Sequence, residues 1–257
     1  MRTLIIPDVH QRVDLVDTAL RDEKYDEVVF LGDWFDSFLE PPFVASFLDT
    51  CLFLRDLMTD HPQRDKFVFL LGNHDIQYIY LNKASSHSSI VPLKDYYCSG
   101  FSKHKAKQFR KVFFDNGLKD EFFHKTIKLA HKSQNYVFSH AGIMPDHLTY
   151  NETIDDLIDK VLPNVWLNFR NLSHNRNYIL SDVGMARYGD ARIGGLLWLD
   201  AKHEFRPSKH IGKQIFGHTT FLEPEVINQG EEDESWCLDT EKHYGIIDDG
   251  ILSVKLY

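Results

Sequence analysis

Five short segments carry the residue types that do chemistry: Asp8-Val9-His10, Gly32-Asp33-Trp34-Phe35-Asp36, Gly72-Asn73-His74-Asp75, Ser139-His140-Ala141-Gly142 and Gly217-His218-Thr219. Carboxylate, imidazole and amide groups are candidate ligands for a divalent cation, although a lone histidine in such a place is ordinarily a hydrogen-bonded structural residue. Five such segments in order point instead to a shared centre. A glycine lies next to the candidate ligand, or two residues from it, in four of them (Gly32, Gly72, Gly142 and Gly217), where a tight turn after a strand needs positive φ or close backbone approach.

Each segment follows an apolar run that reads as a strand: residues 3–6, 27–31 and 66–71 before the first three, 136–138 and 214–216 before the last two. Helical spacing occupies residues 12–21, and residues 43–58 place Phe43, Phe47, Cys51, Leu54 and Met58 on one helical face. Alternating strands and helices imply a parallel α/β sheet with crossovers, and in such sheets ligands gather at the carboxyl ends of the strands. The end of the chain differs. Residues 244–248 and 251–257 flank Asp249-Gly250, a turn signal for an antiparallel hairpin.

The ordered set resembles the calcineurin-like metallophosphoesterases, and it spans nearly the whole chain. His140-Ala141-Gly142-Ile143-Met144-Pro145, Leu196-Leu197-Trp198-Leu199-Asp200, Phe216-Gly217-His218-Thr219 and Leu238-Asp239-Thr240 further resemble the phosphoprotein phosphatase branch with its bacterial and phage members. The resemblance implies a four-layer α/β/β/α sandwich with mixed sheets. It also implies a binuclear centre: Asp8 and His10 would hold one metal, Asp33 would bridge, and Asn73, His140 and His218 would complete the second. Oxygen and imidazole ligands suit manganese, the first choice, as well as iron or zinc. Two such ions would polarise the phosphoryl group and make a bridging hydroxide near neutral pH. His74 falls where the family has its general acid and Asp36 where a carboxylate orients that imidazole, favouring its protonated form. Asp75 reads as structural.

Three positions depart from the family pattern. Gln11 stands where DxHG has its glycine, and Ser37 replaces the phosphate-clamping arginine of GDxxDRG. Thr219 and Thr220 follow His218 where nucleases and cyclic phosphodiesterases have GHxH, which agrees with the phosphatase branch. Some cation must still grip the phosphate. Arg206 is the first candidate and Arg12, one turn past His10, the second.

The rest of the sequence sets the frame. A chain of 257 residues with 43% hydrophobic content can bury one sizeable core, and no linker or repeat divides it, so a single domain over 1–257 is expected, with a helical, basic insertion around 76–134. No run of ~18 apolar residues offers a membrane span. Cys51, Cys98 and Cys237 are odd in number and far apart, which suits a reducing cytoplasm. A formal charge of −9 disfavours nucleic acid as the main partner, although residues 101–132 hold nine Lys and Arg against three acids, a local +6 that leaves −15 elsewhere. That segment would either draw anionic substrates toward the site or form a solvated helix face. The expected partner is a phosphorylated substrate, a phosphoprotein or a phosphorylated small molecule or nucleotide.

Signatures of serine hydrolases, P-loop NTPases, Rossmann enzymes and zincins are missing. The expected activity is hydrolysis of phosphate monoesters, as by Ser/Thr protein phosphatases. The alternatives are a dinucleoside polyphosphate hydrolase, a phosphodiesterase or nuclease, and a metal-binding scaffold without turnover. The scaffold is the weakest of these, having no need of His74 and Asp36.

Overall fold

Alternate side chains of a strand face opposite ways, so a sheet buried on both faces needs apolar residues at every position. The first strands meet that requirement apart from Arg2, Thr3 and Glu27 at their starts: β1 (Arg2–Ile6), β2 (Glu27–Phe30) and β3 (Phe67–Leu70) pair in parallel, with β4 (Ile127–Lys128) parallel on the outer side of β3. The computed structural model describes residues 1–39, 41–80, 98–148, 152–169 and 178–257. On the other side of β1, β10 (His243–Asp248) and β11 (Ile251–Leu256) close a six-stranded mixed sheet in the order β11-β10-β1-β2-β3-β4. Asp249 and Gly250 join them with φ of 47° and 81°, the left-handed pair that a tight hairpin turn demands.

A second sheet of five strands is built from β5 (Ala130–Ser133), β6 (Tyr136–Ser139), β7 (Gln214–Phe216), β8 (Glu225–Ile227) and β9 (Ser235–Cys237), ordered β5-β6-β7-β9-β8. Ile5, Val29, Leu31 and Leu70 of the first sheet and its edges bury against Tyr136, Phe138 and Ile215 of the second. The opposite face, with Leu4, Ile6, Val28, Phe30 and Phe69, packs on Val16 and Ala19 of α1 (Val13–Asp22) and on Cys51, Leu54 and Met58 of α2 (Phe47–Thr59). Outside the second sheet, Phe216 and Cys237 meet Leu199, Ala201 and Phe205. The result is the expected sandwich, helices outside two facing sheets.

One helix is shorter than its sequence pattern. Phe43 shares the four-residue spacing of Phe47 and Cys51 but is 80% exposed, because the chain enters α2 only at Ser46, whose Oγ accepts the Asp49 N–H as an N-cap. Of residues 76–134, expected as a helical, basic insertion, α3 (Ile76–Tyr80), α4 (Lys103–Phe113) and α5 (Asp120–Thr126) are helical, but β4 and β5 at its end are strands of the two sheets, and positions 81–97 lie outside the described residues. Ala106, Phe109 and Phe113 of α4 and Phe123 of α5 join the buried cluster that holds Phe35, Phe47 and Leu54. No helix among the described residues is long and apolar enough to cross a membrane.

Candidate active site

The loops that leave β1, β2, β3, β6 and β7 are laced together by main-chain bonds. His10 N–H donates to Asp33 O at 2.7 Å and Gly217 N–H to His140 O at 2.8 Å. Asp75 accepts from Trp34 N–H at 2.8 Å and from Gly72 N–H at 3.0 Å, so it ties the second loop to the third. Backbone strain concentrates here. His10, Asp33, Asp36 and His218 have φ of 42°, 50°, 62° and 66°, a left-handed conformation that costs a non-glycine residue roughly 1 kcal/mol or more and persists only where surroundings enforce it. Gln11 also has φ of 65°, which explains why glycine suits that position. Its side chain compensates: Nε2 donates to Ala45 O at 2.8 Å and Oε1 accepts from Ser37 N–H at 3.2 Å.

The side chains so placed form two groups that share one member. Asp8, His10 and Asp33 converge in one group, and Asp33, His140 and His218 in the other, with the ligand atoms of each group within 4.8 Å of one another. Asn73 joins the second, its Oδ1 lying 2.8 Å from His140 Nε2. A carbonyl can only accept, so Leu31 O, 2.9 Å from His140 Nδ1, favours the proton there, and Nε2 then turns its lone pair toward Asp33 at 3.5 Å and Asn73 Oδ1 at 2.8 Å, a cluster of acceptors that a cation between them would reconcile. His10 repeats the device, with Nδ1 at 3.0 Å from Phe35 O and Nε2 toward Asp33 at 3.7 Å.

The electrostatics call for cations. Burial, then the nearby Asp239 and Asp33 carboxylates, push the Asp8 carboxyl well above its ordinary range, and burial likewise raises Asp239. Burial would raise Asp33 too, but the imidazoles of His140, His74 and His10 outweigh it and hold its carboxyl low. Burial, with Arg187 and His140 beside it, depresses His218, whose Nε2 is buried without a partner among the described residues. Crowded carboxylates, imidazole lone pairs held open by carbonyls and an orphaned ring nitrogen fit divalent cations bound among these residues.

Close approach sets the position of Asp8. A Cβ on Gly217 would collide with Asp8 Oδ2, while His218 N–H holds that carboxylate with bonds of 3.0 and 3.1 Å. Gly217→Ala is expected to keep the fold but shift Asp8, lowering cation affinity about 10–100-fold. Activity titrated against manganese concentration measures the shift. An unchanged half-saturation would mean that Asp8 takes no part in holding the ion.

Beside the shared carboxylate lies His74. Its main-chain N–H donates to Asp33 Oδ1 at 2.8 Å, and its Nδ1 sits 3.4 Å from Asp36 Oδ2. Burial works against protonation of this ring, but Asp33 and the Asp36 hydrogen bond outweigh it and raise its pKa well above the usual value. Asp36 also accepts from Tyr78 Oη at 2.7 Å and Lys105 Nζ at 2.9 Å. Asn73 Nδ2 lies 2.9 Å from Cys98 Sγ, an orientation that turns Oδ1 toward His140.

The arginines named from sequence are placed differently. Arg206 pairs with Glu225 on β8, the outer edge strand of the second sheet, and Arg12 donates to Asp8 O at 2.6 Å and Val9 O at 3.1 Å, stiffening its own loop. Arg187, which sequence reading passed over, donates to Thr219 Oγ1 at 2.7 Å, lies 3.4 Å from Asp200, and has a buried Nε without a partner among the described residues. Lys105, within the basic stretch, is paired with Asp36 and not part of a solvated helix face. Asp239 follows β9 and accepts from Thr220 Oγ1 at 2.8 Å.

Comparison with known proteins adds three findings. The profile described as calcineurin-like phosphoesterase matches residues 1–220. No curated protein matches the chain. Among solved structures, a mutant cold-active protein tyrosine phosphatase superposes with a TM-score of 0.57 at 16% identity, over 100% of this chain and 78% of that one. The cold-active protein tyrosine phosphatase of a psychrophilic Shewanella species superposes at 0.50 with 15% identity, over 98% and 80%. A protein serine/threonine phosphatase from Saccharomyces cerevisiae gives 0.49 with 15% identity, over 100% and 79%.

Proposed function

The chain belongs to the calcineurin-like phosphoesterases, and from that premise we propose that it hydrolyses phosphate monoesters, phosphoserine and phosphothreonine in proteins among them, with two divalent cations. Asp8, His10 and Asp33 would hold one cation, and Asp33, Asn73, His140 and His218 the other. The observation that carries the reading is Asp33, which serves both donor groups. When bound, such a pair polarises phosphoryl oxygens and brings water toward hydroxide near neutral pH, chemistry open to manganese, iron or zinc with these donors.

The chain's own groups do the remaining work. His74 donates the proton that the departing alkoxide needs, and Asp36 holds the other ring nitrogen so that the donor faces the site. Arg187 supplies the cation that Ser37 does not, pinned by Thr219 and Asp200 beside His218. Arg206 is paired with Glu225, and Arg12 is bonded to its own loop through Nε and Nη2, although its Nη1 is buried without a partner among the described residues. Arg187→Ala is expected to raise KM by about 10-fold or more with a smaller change in kcat, the pattern of lost ground-state binding. Steady-state kinetics on a phosphopeptide decides this, and an unchanged KM removes Arg187 from the phosphate site.

Monoesters are favoured over diesters because Thr220 occupies the place of the second histidine of GHxH and donates to Asp239 rather than offering a ring nitrogen. The test is a single panel: metal-free protein reconstituted with manganese, iron or zinc and given an aryl phosphate, a phosphopeptide, a dinucleoside polyphosphate and an aryl phosphodiester. Fastest turnover of the monoesters is expected. A preference for the dinucleoside polyphosphate or the diester would replace the reading, and a metal-replete protein inert on all four would mark a scaffold.

A further inference from the structure

The insertion reaches back into the site through one side chain. We propose that Lys105 is a positioning residue for His74: together with Tyr78 it fixes Asp36 so that a single carboxylate oxygen is turned to the imidazole. The proposal rests on the reading of this site as a phosphoesterase with His74 as the acid.

A carboxylate has two equivalent oxygens and a soft terminal torsion, so holding an imidazole in one orientation requires that one oxygen be tied. Here Oδ1 of Asp36 is tied twice, by Lys105 Nζ at 2.9 Å and by Tyr78 Oη at 2.7 Å, while Oδ2 faces His74 Nδ1 at 3.4 Å. The Asp36 side chain is fully buried, and its backbone is held at φ of 62°, a conformation that needs support from its surroundings. Gly100 supplies part of that support. Its carbonyl accepts from Lys105 Nζ at 2.9 Å, and a Cβ there would come within 2.8 Å of Asp36 Cβ.

Lys105 is out of place by helix rules. It lies in the first turn of α4, behind the Ser102 cap and with no acid in that turn, where a cation opposes the helix dipole. Buried Asp36 is the counter-charge that offsets this arrangement, and the Phe47 ring, 5.7 Å from Nζ, lines the other side. Lys103 and Lys107 on the same helix are exposed, which leaves Lys105 as the cation of α4 directed at Asp36.

Lys105→Met keeps the aliphatic stem and removes the charge. In the metal-replete enzyme it is expected to lower kcat about 10-fold on an alkyl phosphate and less than about 3-fold on p-nitrophenyl phosphate, whose leaving group needs little protonation. KM and metal content should hold on both substrates. Lys105→Arg should recover most of the loss, Tyr78→Phe should show the same ranking more weakly, and Lys103→Met should change nothing. If Lys105→Met melts far below the parent, Lys105→Gln against Lys105→Arg makes the same comparison. Equal losses on the two substrates, or a rise confined to KM, would overturn the proposal. His74→Asn run beside them separates the two readings. If His74→Asn distinguishes the substrates and Lys105→Met does not, the positioning role alone fails. If His74→Asn does not distinguish them, the acid reading fails and the Lys105 role with it.

Discussion

Asp33→Asn is expected to lose both cations at once and to lower activity by roughly 10³-fold or more, beyond the 10²–10³ usual for one charge-stabilising group, because one carboxylate serves two sites. The fold should survive. Asparagine tolerates the left-handed φ of 50° at this position and can still accept the His74 N–H through its Oδ1. What it cannot supply is the charge. The oxygen now turned to His10 at 3.7 Å and His140 at 3.5 Å would become an amide nitrogen, a donor aimed where a cation belongs. Elemental analysis after reconstitution, with thermal melting of the metal-free protein, measures both halves. Two equivalents retained with full activity would show that Asp33 does not bridge.

The residues legible in the sequence share one property: each lies immediately after a run of apolar residues long enough to read as a strand. Asp8, Asp33, Asn73, His140 and His218 were found that way, because a local signal marks them and the parallel topology then brings their strand ends together. The hairpin was legible from its Asp249-Gly250 turn signal, whereas the two facing sheets were implied by the family resemblance and not by the apolar runs themselves. What escaped depends on contacts between distant parts of the chain. Lys105 is separated from Asp36 by 69 positions, and nothing in the insertion's charge pattern distinguishes it from Lys103 or Lys107. Asp239 was noted in the Leu238-Asp239-Thr240 segment, but its place beside Asp8 follows from the second sheet, where Ser235–Cys237 pairs with Gln214–Phe216. Arg187 sits in a short 3₁₀ turn, Met185–Arg187, among glycines and polar residues that read only as loop. Phe43 shows the opposite error, a side chain in register with a helix that starts later because of its Ser46 cap.

The departures at Gln11 and Ser37 connect through the same geometry. Gln11 takes the left-handed position with its side chain bonded to Ala45 O and to the Ser37 N–H, so the two substituted positions support each other. Replacing an arginine by serine at 37 removes a phosphate cation from the second loop, and the cations that remain close to the site come from elsewhere: Lys105 from α4 and Arg187 from the turn before Leu196-Leu197-Trp198. Of these, Arg187 is 23% exposed and Lys105 24%; Lys105 is paired with buried Asp36 and Arg187 with buried Asp200, and Arg187 also keeps a buried Nε without a partner among the described residues. On the proposed reading, one cation would hold the acid's partner and the other would meet the substrate.

His74→Asn isolates the acid. The metal centre should be almost undisturbed, since the residue's hold on Asp33 is through its main-chain N–H, which the substitution keeps. The ring itself contacts Asp36 and stands edge-on to His10, with centroids 5.3 Å apart, so the substitution removes no ligand atom, although it takes away a neighbour of the candidate ligand His10. If His74 protonates the leaving group, kcat on an alkyl phosphate should fall by roughly 10²–10⁴, the usual contribution of a general acid. On p-nitrophenyl phosphate the departing phenolate is already stable near neutral pH, so the defect should shrink by about an order of magnitude or more. Asp36→Asn should give the same ranking with smaller losses, because it weakens the imidazole's orientation and its preference for the protonated form while leaving the ring in place. Metal content and kcat on both substrates are the measurements. A metal-replete His74→Asn protein that loses the same factor on both would mean that His74 positions the substrate, and the proton would have to come from another group on the site's wall.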